Sequence, residues 1–167
     1  MRIGRVSVRK RLPAPFRKRA ALDYPGAMDE AFRLLARRAR SEAEIAGLLR
    51  ARGASAKLVR KVLGRLHALG YVDDAQLAAE LLDRYKQRGF GSLRIEAELR
   101  RLEIAEPVVR RMTLDAREER VLARRALEKN FRPAELADRK GMGRAARFLA
   151  GRGFPAEVID SLFDVCD

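Results

Sequence analysis

From Ala27 onward, apolar residues recur three and four positions apart, the spacing that lays them along one side of an α-helix. Ala31, Leu34 and Leu35 form the first such stripe. Ser41-Glu42-Ala43-Glu44 follows, and Ser41 with Glu44 fits a capping box opening a second helix through Ile45, Leu48 and Leu49. Gly53 ends that helix. A third is predicted from about Ser55 to Leu69, with Leu58, Val59, Val62, Leu63, Leu66 and Leu69 along one side and Gly70 as terminator.

The same pattern then returns. LLRARGASAKLVRKVL starts at Leu48, ELRRLEIAEPVVRRMT at Glu98 and FLAGRGFPAEVIDSLF at Phe148, a spacing of 50 residues each time. Leu49, Leu99 and Leu149 share one column, Val59, Val109 and Ile159 a second, and Val62, Met112 and Leu162 a third. In the turn column Gly53 and Gly153 match, whereas Glu103 departs and calls for some other C-cap. Pro107 and Pro155 both suit the first turn of a third helix. A three-helix unit of about 45–50 residues buries little core by itself, so neighbouring units must pack. The expected fold is all-α, three tandem three-helix repeats in an elongated array behind a basic N-terminal arm. The arm covers residues 1–26 and the units 27–70, 71–116 and 117–167, with a loop within NFRPAELADRKGMG (130–143).

Punctuation accounts for the segments that first resemble sites. In GYVDD (70–74), Gly70 ends one unit, Tyr71 and Val72 pack the corner, and Asp73 or Asp74 caps the next helix. In GFGSLR (89–94), Ser92 is expected to cap the helix carrying Leu93, Ile95 and Leu99; that N-terminus could also receive a phosphate. His67 is the sole histidine, and partial burial with one hydrogen bond is expected of it. With one cysteine, Cys166, there is no intrachain disulfide and no Cys-rich metal site, which fits a reducing cytoplasm. No nucleotide-binding glycine loop is present. These readings give a non-enzyme without metal or cofactor, cytoplasmic, monomeric, and with no apolar run that would span a membrane.

Charge adds a partner. Lys and Arg number 37 against 23 Asp and Glu, a formal charge of +14, which favours a polyanion or an acidic protein surface. Residues 1–26 hold eight basic residues and one acid, so half of the excess lies in an arm broken by Pro13, Pro15 and Pro25. It could track a polyanion or serve as a solubilising tail; it is also acid-free up to Asp23, as transit peptides are, although a basic arm is the simpler reading. Each unit carries a window without acids: Arg50, Arg52, Lys57, Arg60, Lys61 and Arg65; then Arg84, Lys86, Arg88 and Arg94; then Arg139, Lys140, Arg144, Arg147 and Arg152. Lys57, Lys61 and Arg65 are four apart, opposite the apolar stripe of their helix. A solvated face mixes signs, as Glu118, Glu119, Arg124, Arg125 and Glu128 do, so an unmixed run reads as a binding face. Tyr71, Tyr85 and Phe90 could stack bases, but their spacing suits core and turn packing better, which argues for backbone attraction over sequence readout.

RLLARRARSEAEIAGLLRARG, GYVDD (70–74), RGFGSLRIEAEL (88–99) and GRGF (151–154), in that order, resemble the bacterial RecX regulatory family over roughly Ala27 to Phe163. Glu103 stands where that family commonly has glycine, and the basic arm is outside its pattern. The resemblance implies a modulator that binds the RecA–DNA filament, with single- and double-stranded DNA engaged independently of sequence, and that suppresses strand exchange, ATP hydrolysis and co-protease activity. It carries no catalytic residues over. A helix-turn-helix DNA binder, transcriptional or nucleoid-associated, is the alternative.

Overall fold

The computed structural model describes residues 22–163; most of the basic arm, and Cys166, lie outside them. Among the described residues all regular structure is helical. The helices are α1 (Tyr24–Leu35), α2 (Glu42–Ala51), α3 (Ala56–Ala68), α4 (Asp74–Gln87), α5 (Ser92–Arg101), α6 (Glu106–Arg111), α7 (Ala116–Asn130), α8 (Arg139–Gly151) and α9 (Ala156–Phe163). A 3-10 turn, Pro133–Leu136, occupies the expected loop before α8. The helices form three successive sets of three. α1 begins ahead of Ala27: Asp23 accepts from the Gly26 N–H and Pro25 lies in the first turn, so residues 24–26 are helical.

The repeated columns point inward. Leu49, Leu99 and Leu149 are completely buried, and Ile45, Ile95 and Ala145 one turn earlier are buried with them. Val59, Val109, Ile159 and Val62 are buried as well, while Met112 and Leu162 are half-buried because α6 and α9 are short. Leu48 and Leu69, which the spacing assigns to the stripe, are exposed; Leu69 is the C-cap of α3, past the last turn facing the core.

The turn after each second helix keeps one geometry despite the missing glycine. Ala54, Ile104 and Phe154 donate their N–H to Leu49, Leu99 and Leu149, at 3.0, 3.1 and 3.2 Å. Gly53 and Gly153 reach this with φ of 89° and 81°, and Glu103 adopts φ of 55°. The turn expected to need another C-cap therefore uses the same left-handed conformation, at a steric cost glycine does not incur.

Junctions between units repeat too. Ser41 Oγ donates to the Leu102 carbonyl at 2.6 Å, and 50 residues on, the Gly91 N–H donates to the Arg152 carbonyl at 3.0 Å. In each case the start of one unit's second helix meets the next unit's turn. A carboxylate from the next unit's first helix completes both contacts: Asp74 accepts from the Glu42 N–H at 2.9 Å, and the buried Glu119 from the Ser92 N–H at 2.7 Å. The two aspartates of GYVDD thus divide the work, since Asp73 caps α4 through the Ala75 and Gln76 N–H groups while Asp74 reaches back. Ser92 does not cap α5. Gly91 is the N-cap, because a Cβ there would collide with the Gly153 carbonyl, and Glu119 occupies the helix N-terminus that the sequence offers to a phosphate.

The apolar interior is divided unequally. One core, from Ala27 to Val72, belongs to the first unit except for Val72, which the start of the second contributes. A second runs from Ala78 to Ile159 and joins the second and third units. At Gly141, the third-unit counterpart of Ser41 and Gly91, the Glu135 carbonyl of the 3-10 turn fills the space a Cβ would need.

Candidate polyanion-binding surface

Helix α3 shows how the sequence builds a charged face. Val59, Val62 and Leu66 are buried, which turns Lys57, Arg60, Lys61 and Arg65 to solvent. None of the four forms an ion pair with a described residue; Lys61 places its ammonium 4.5 Å from the centre of the Tyr24 ring. Arg50 is likewise exposed and, among the described residues, unpaired. Arg52 is committed to the fold, meeting the buried Glu30 at 2.9 Å.

In the second window Arg84, Arg88 and Arg94 are exposed, whereas Lys86 is ion-paired with Glu118 of α7. In the third, Arg139, Lys140, Arg144 and Arg147 line the outer side of α8 without ion partners among the described residues. Arg152 instead bridges units. Its Nη1 donates to the carbonyls of Arg88 and Gly89, at 2.7 and 3.3 Å, and its guanidinium lies over Phe148 and Phe90. Arg88 lies against Phe90 as well, so the second and third windows converge there.

That convergence forms a pocket of about 230 Å³, lined by Lys86, Arg88 and Arg152 together with Arg125 and Lys129 of α7. None of the α3 cations lines it. In the sequence Arg125 belongs to a run of mixed sign that reads as a solvated face, and Lys129 falls outside all three windows. Two of the acids of α7 are in fact used inward or laterally, Glu119 on Ser92 and Glu118 on Lys86, while Glu128 stays exposed. Arg117, Arg120, Arg124 and Arg125 are left outward, around a shallow groove with the exposed Val121 and Glu128. The i, i+3, i+4, i+7 spacing of 117, 120, 121 and 124 carried this signal.

Charges at the first junction are compensated instead. Arg38 holds the Glu44 carboxyl below the usual glutamate range, and Arg101 does the same to Glu98. Burial pushes the Asp74 carboxyl up, against the hydrogen bond from Glu42. His67, expected to be half-buried, is exposed and joined to Glu42. The aromatic candidates are engaged with neighbours, Tyr71 with Phe32 at 5.1 Å between ring centres and Tyr85 with Phe90 at 5.2 Å. Among the described residues no group of His, Cys, Asp and Glu could hold a metal ion, and no helix is long and apolar enough to cross a membrane.

Comparison with known proteins accounts for this architecture. Residues 27–66 match the family model for the first three-helix domain of RecX, and residues 118–163 that for the third. The regulatory protein RecX of Deinococcus radiodurans is 40% identical over 132 residues, spanning 77% of this chain and 62% of that protein. RecX of Halorhodospira halophila is 36% identical over 78% of this chain and 82% of its own. The crystal structure of RecX from Lactobacillus salivarius superposes with a TM-score of 0.74 at 15% identity, covering 84% of this chain and 94% of that one, and so shows the fold. On sequence and on fold alike, this chain belongs to the RecX family of regulatory proteins.

Proposed function

We propose that the chain is a non-catalytic regulator that binds the RecA–DNA filament and suppresses recombinase, ATPase and co-protease activities. The observation that carries this reading is the row of exposed cations on α3, without ion partners among the described residues, opposite its buried face, with similar rows on α7 and α8, in a member of a regulatory family. Like charges gathered on one face repel one another, a cost that contact with a polyanion offsets. The partners are RecA protomers and the phosphates of enclosed single- or double-stranded DNA, engaged without base readout because Tyr85 and Phe90 pack against each other and Tyr71 against Phe32. The regulator acts as a monomer in the cytoplasm, and the three-unit division at about residues 70 and 116 gives it separate contacts along a filament. No membrane is involved.

The test is the DNA-dependent ATPase and strand exchange of RecA with the purified chain added at stoichiometric amounts. Inhibition of both is expected; unchanged rates would refute the proposal. A helix-turn-helix DNA binder would instead hold one duplex sequence strongly over competitor DNA and leave RecA alone.

A further inference from the structure

We infer that the pocket at the junction of the second and third units is a phosphate-binding site, and that on the proposed filament it seats a backbone phosphate of the enclosed DNA. The inference rests on the proposed function for its ligand's source, but not for its chemistry. Five cationic side chains, Lys86, Arg88, Arg125, Lys129 and Arg152, surround about 230 Å³ of concave space. Only Lys86 has a carboxylate partner, Glu118, among the described residues. Arg125 and Lys129 stand four apart on α7, a like-charge spacing that opposes helix formation unless an anion lies between.

Two further features suit an oxyanion. Arg152 is held before any ligand arrives: Nη1 is fixed by the Arg88 and Gly89 carbonyls and the guanidinium rests on Phe148 at 4.6 Å. Its Nε and Nη2 donors make no bond to a described acceptor, so a preoriented fork remains for phosphate oxygens. The Phe90 ring already carries Arg88 at 5.2 Å and Arg152 at 5.3 Å and packs against Tyr85, which leaves it poorly placed to stack a base. The volume lies below that of pockets for drug-sized ligands and suits a small anion with its waters. The pocket therefore recognises the phosphate group and is indifferent to the base.

The probes are inorganic phosphate and a short oligothymidylate, added to the full chain while the amide resonances of Gly89 and Arg152 are followed. Both probes are expected to shift those amides, and the double variant R125Q/K129Q to abolish the shifts. The same variant should reduce the slope of log affinity against log salt for oligothymidylate by about 0.7 for each phosphate it no longer neutralises. The control R110Q/R111Q on α6, with the same charge change, should keep the amide shifts. Shifts with phosphate but not with the oligonucleotide would make the site one for a free anion and overturn its assignment to nucleic acid. No shift with either probe and an unchanged slope would overturn the site itself. Loss of RecA binding in the absence of DNA, with the slope unchanged, would give the pocket to an acidic protein surface and likewise overturn it. If R125Q/K129Q abolished phosphate binding as expected while wild-type chain failed to inhibit RecA, the pocket would stand and the filament reading would fall.

Discussion

Glu103 holds a left-handed backbone, φ of 55°, at the position where Gly53 and Gly153 sit in the flanking units. A side chain in that conformation costs roughly 1–2 kcal/mol, partly balanced by the entropy glycine loses on folding. Glu103→Gly should therefore raise stability by about 0.5–1 kcal/mol, read as a higher midpoint in thermal denaturation; a lower midpoint would contradict this account of the turn. Gly91→Ala should act oppositely and harder. Its Cβ meets the Gly153 carbonyl and the Phe154 Cα, backbone atoms that cannot swing aside, so a loss of about 1–3 kcal/mol in urea denaturation is expected. The glutamate is visible in the sequence as a gap in a column, but its consequence is not, since a missing glycine does not say whether the turn changes or the new residue is strained. Gly91 is less legible still. Ser92 looks like a helix cap from its neighbours alone, and only the Arg152–Gly153 backbone of another unit moves the cap to the glycine.

At the scale of helices, periodicity is decisive wherever a face meets its own unit's core, which is why the columns through Leu49 and Val59 are buried as expected. It fails for α7, whose signs alternate along the chain but separate around the helix. Glu119 turns to Ser92 and Glu118 to Lys86, leaving the arginines outside with Glu128 as the one acid among them. The junction carboxylates also set a pH response. Glu44 and Glu98 titrate below the usual range because of Arg38 and Arg101, so the stability they contribute is present above the unfolded value of 4.5 and is lost as pH falls through their folded values. Asp74 has the opposite sign: burial raises its folded value above 3.8, so ionising it costs stability as pH rises through that interval. Asp74→Asn keeps an acceptor for the Glu42 N–H without the charge. It should stabilise the fold at neutral pH, with the advantage vanishing in acid, as denaturation midpoints across pH would record; a variant weaker at neutral pH would show that the charge itself holds the junction.

For the whole molecule, the division of apolar interior matters most. The first unit has its own core, closed by Val72, and otherwise meets the second through polar bonds, while the second and third share a core. We expect amide exchange at the first junction, at Glu42, to be faster than at Ser92, because opening it exposes little apolar surface. The cations of α3 thus ride on a separately packed body from those around Phe90, which would let one chain contact a filament at two places. K57A/K61A/R65A should weaken binding to DNA and to RecA filaments with a shallower salt slope, its helical circular dichroism unchanged; an unaltered slope would remove α3 from the interface. The most direct measurement is a titration of RecA's DNA-dependent ATPase with the full chain, and in parallel with residues 1–21 deleted, which leaves the Asp23 cap and first turn of α1 in place. The account predicts inhibition approaching completion at stoichiometric amounts for the full chain, retained by the deleted form because the helical units carry the filament contacts. Undiminished ATP hydrolysis with the full chain would contradict it.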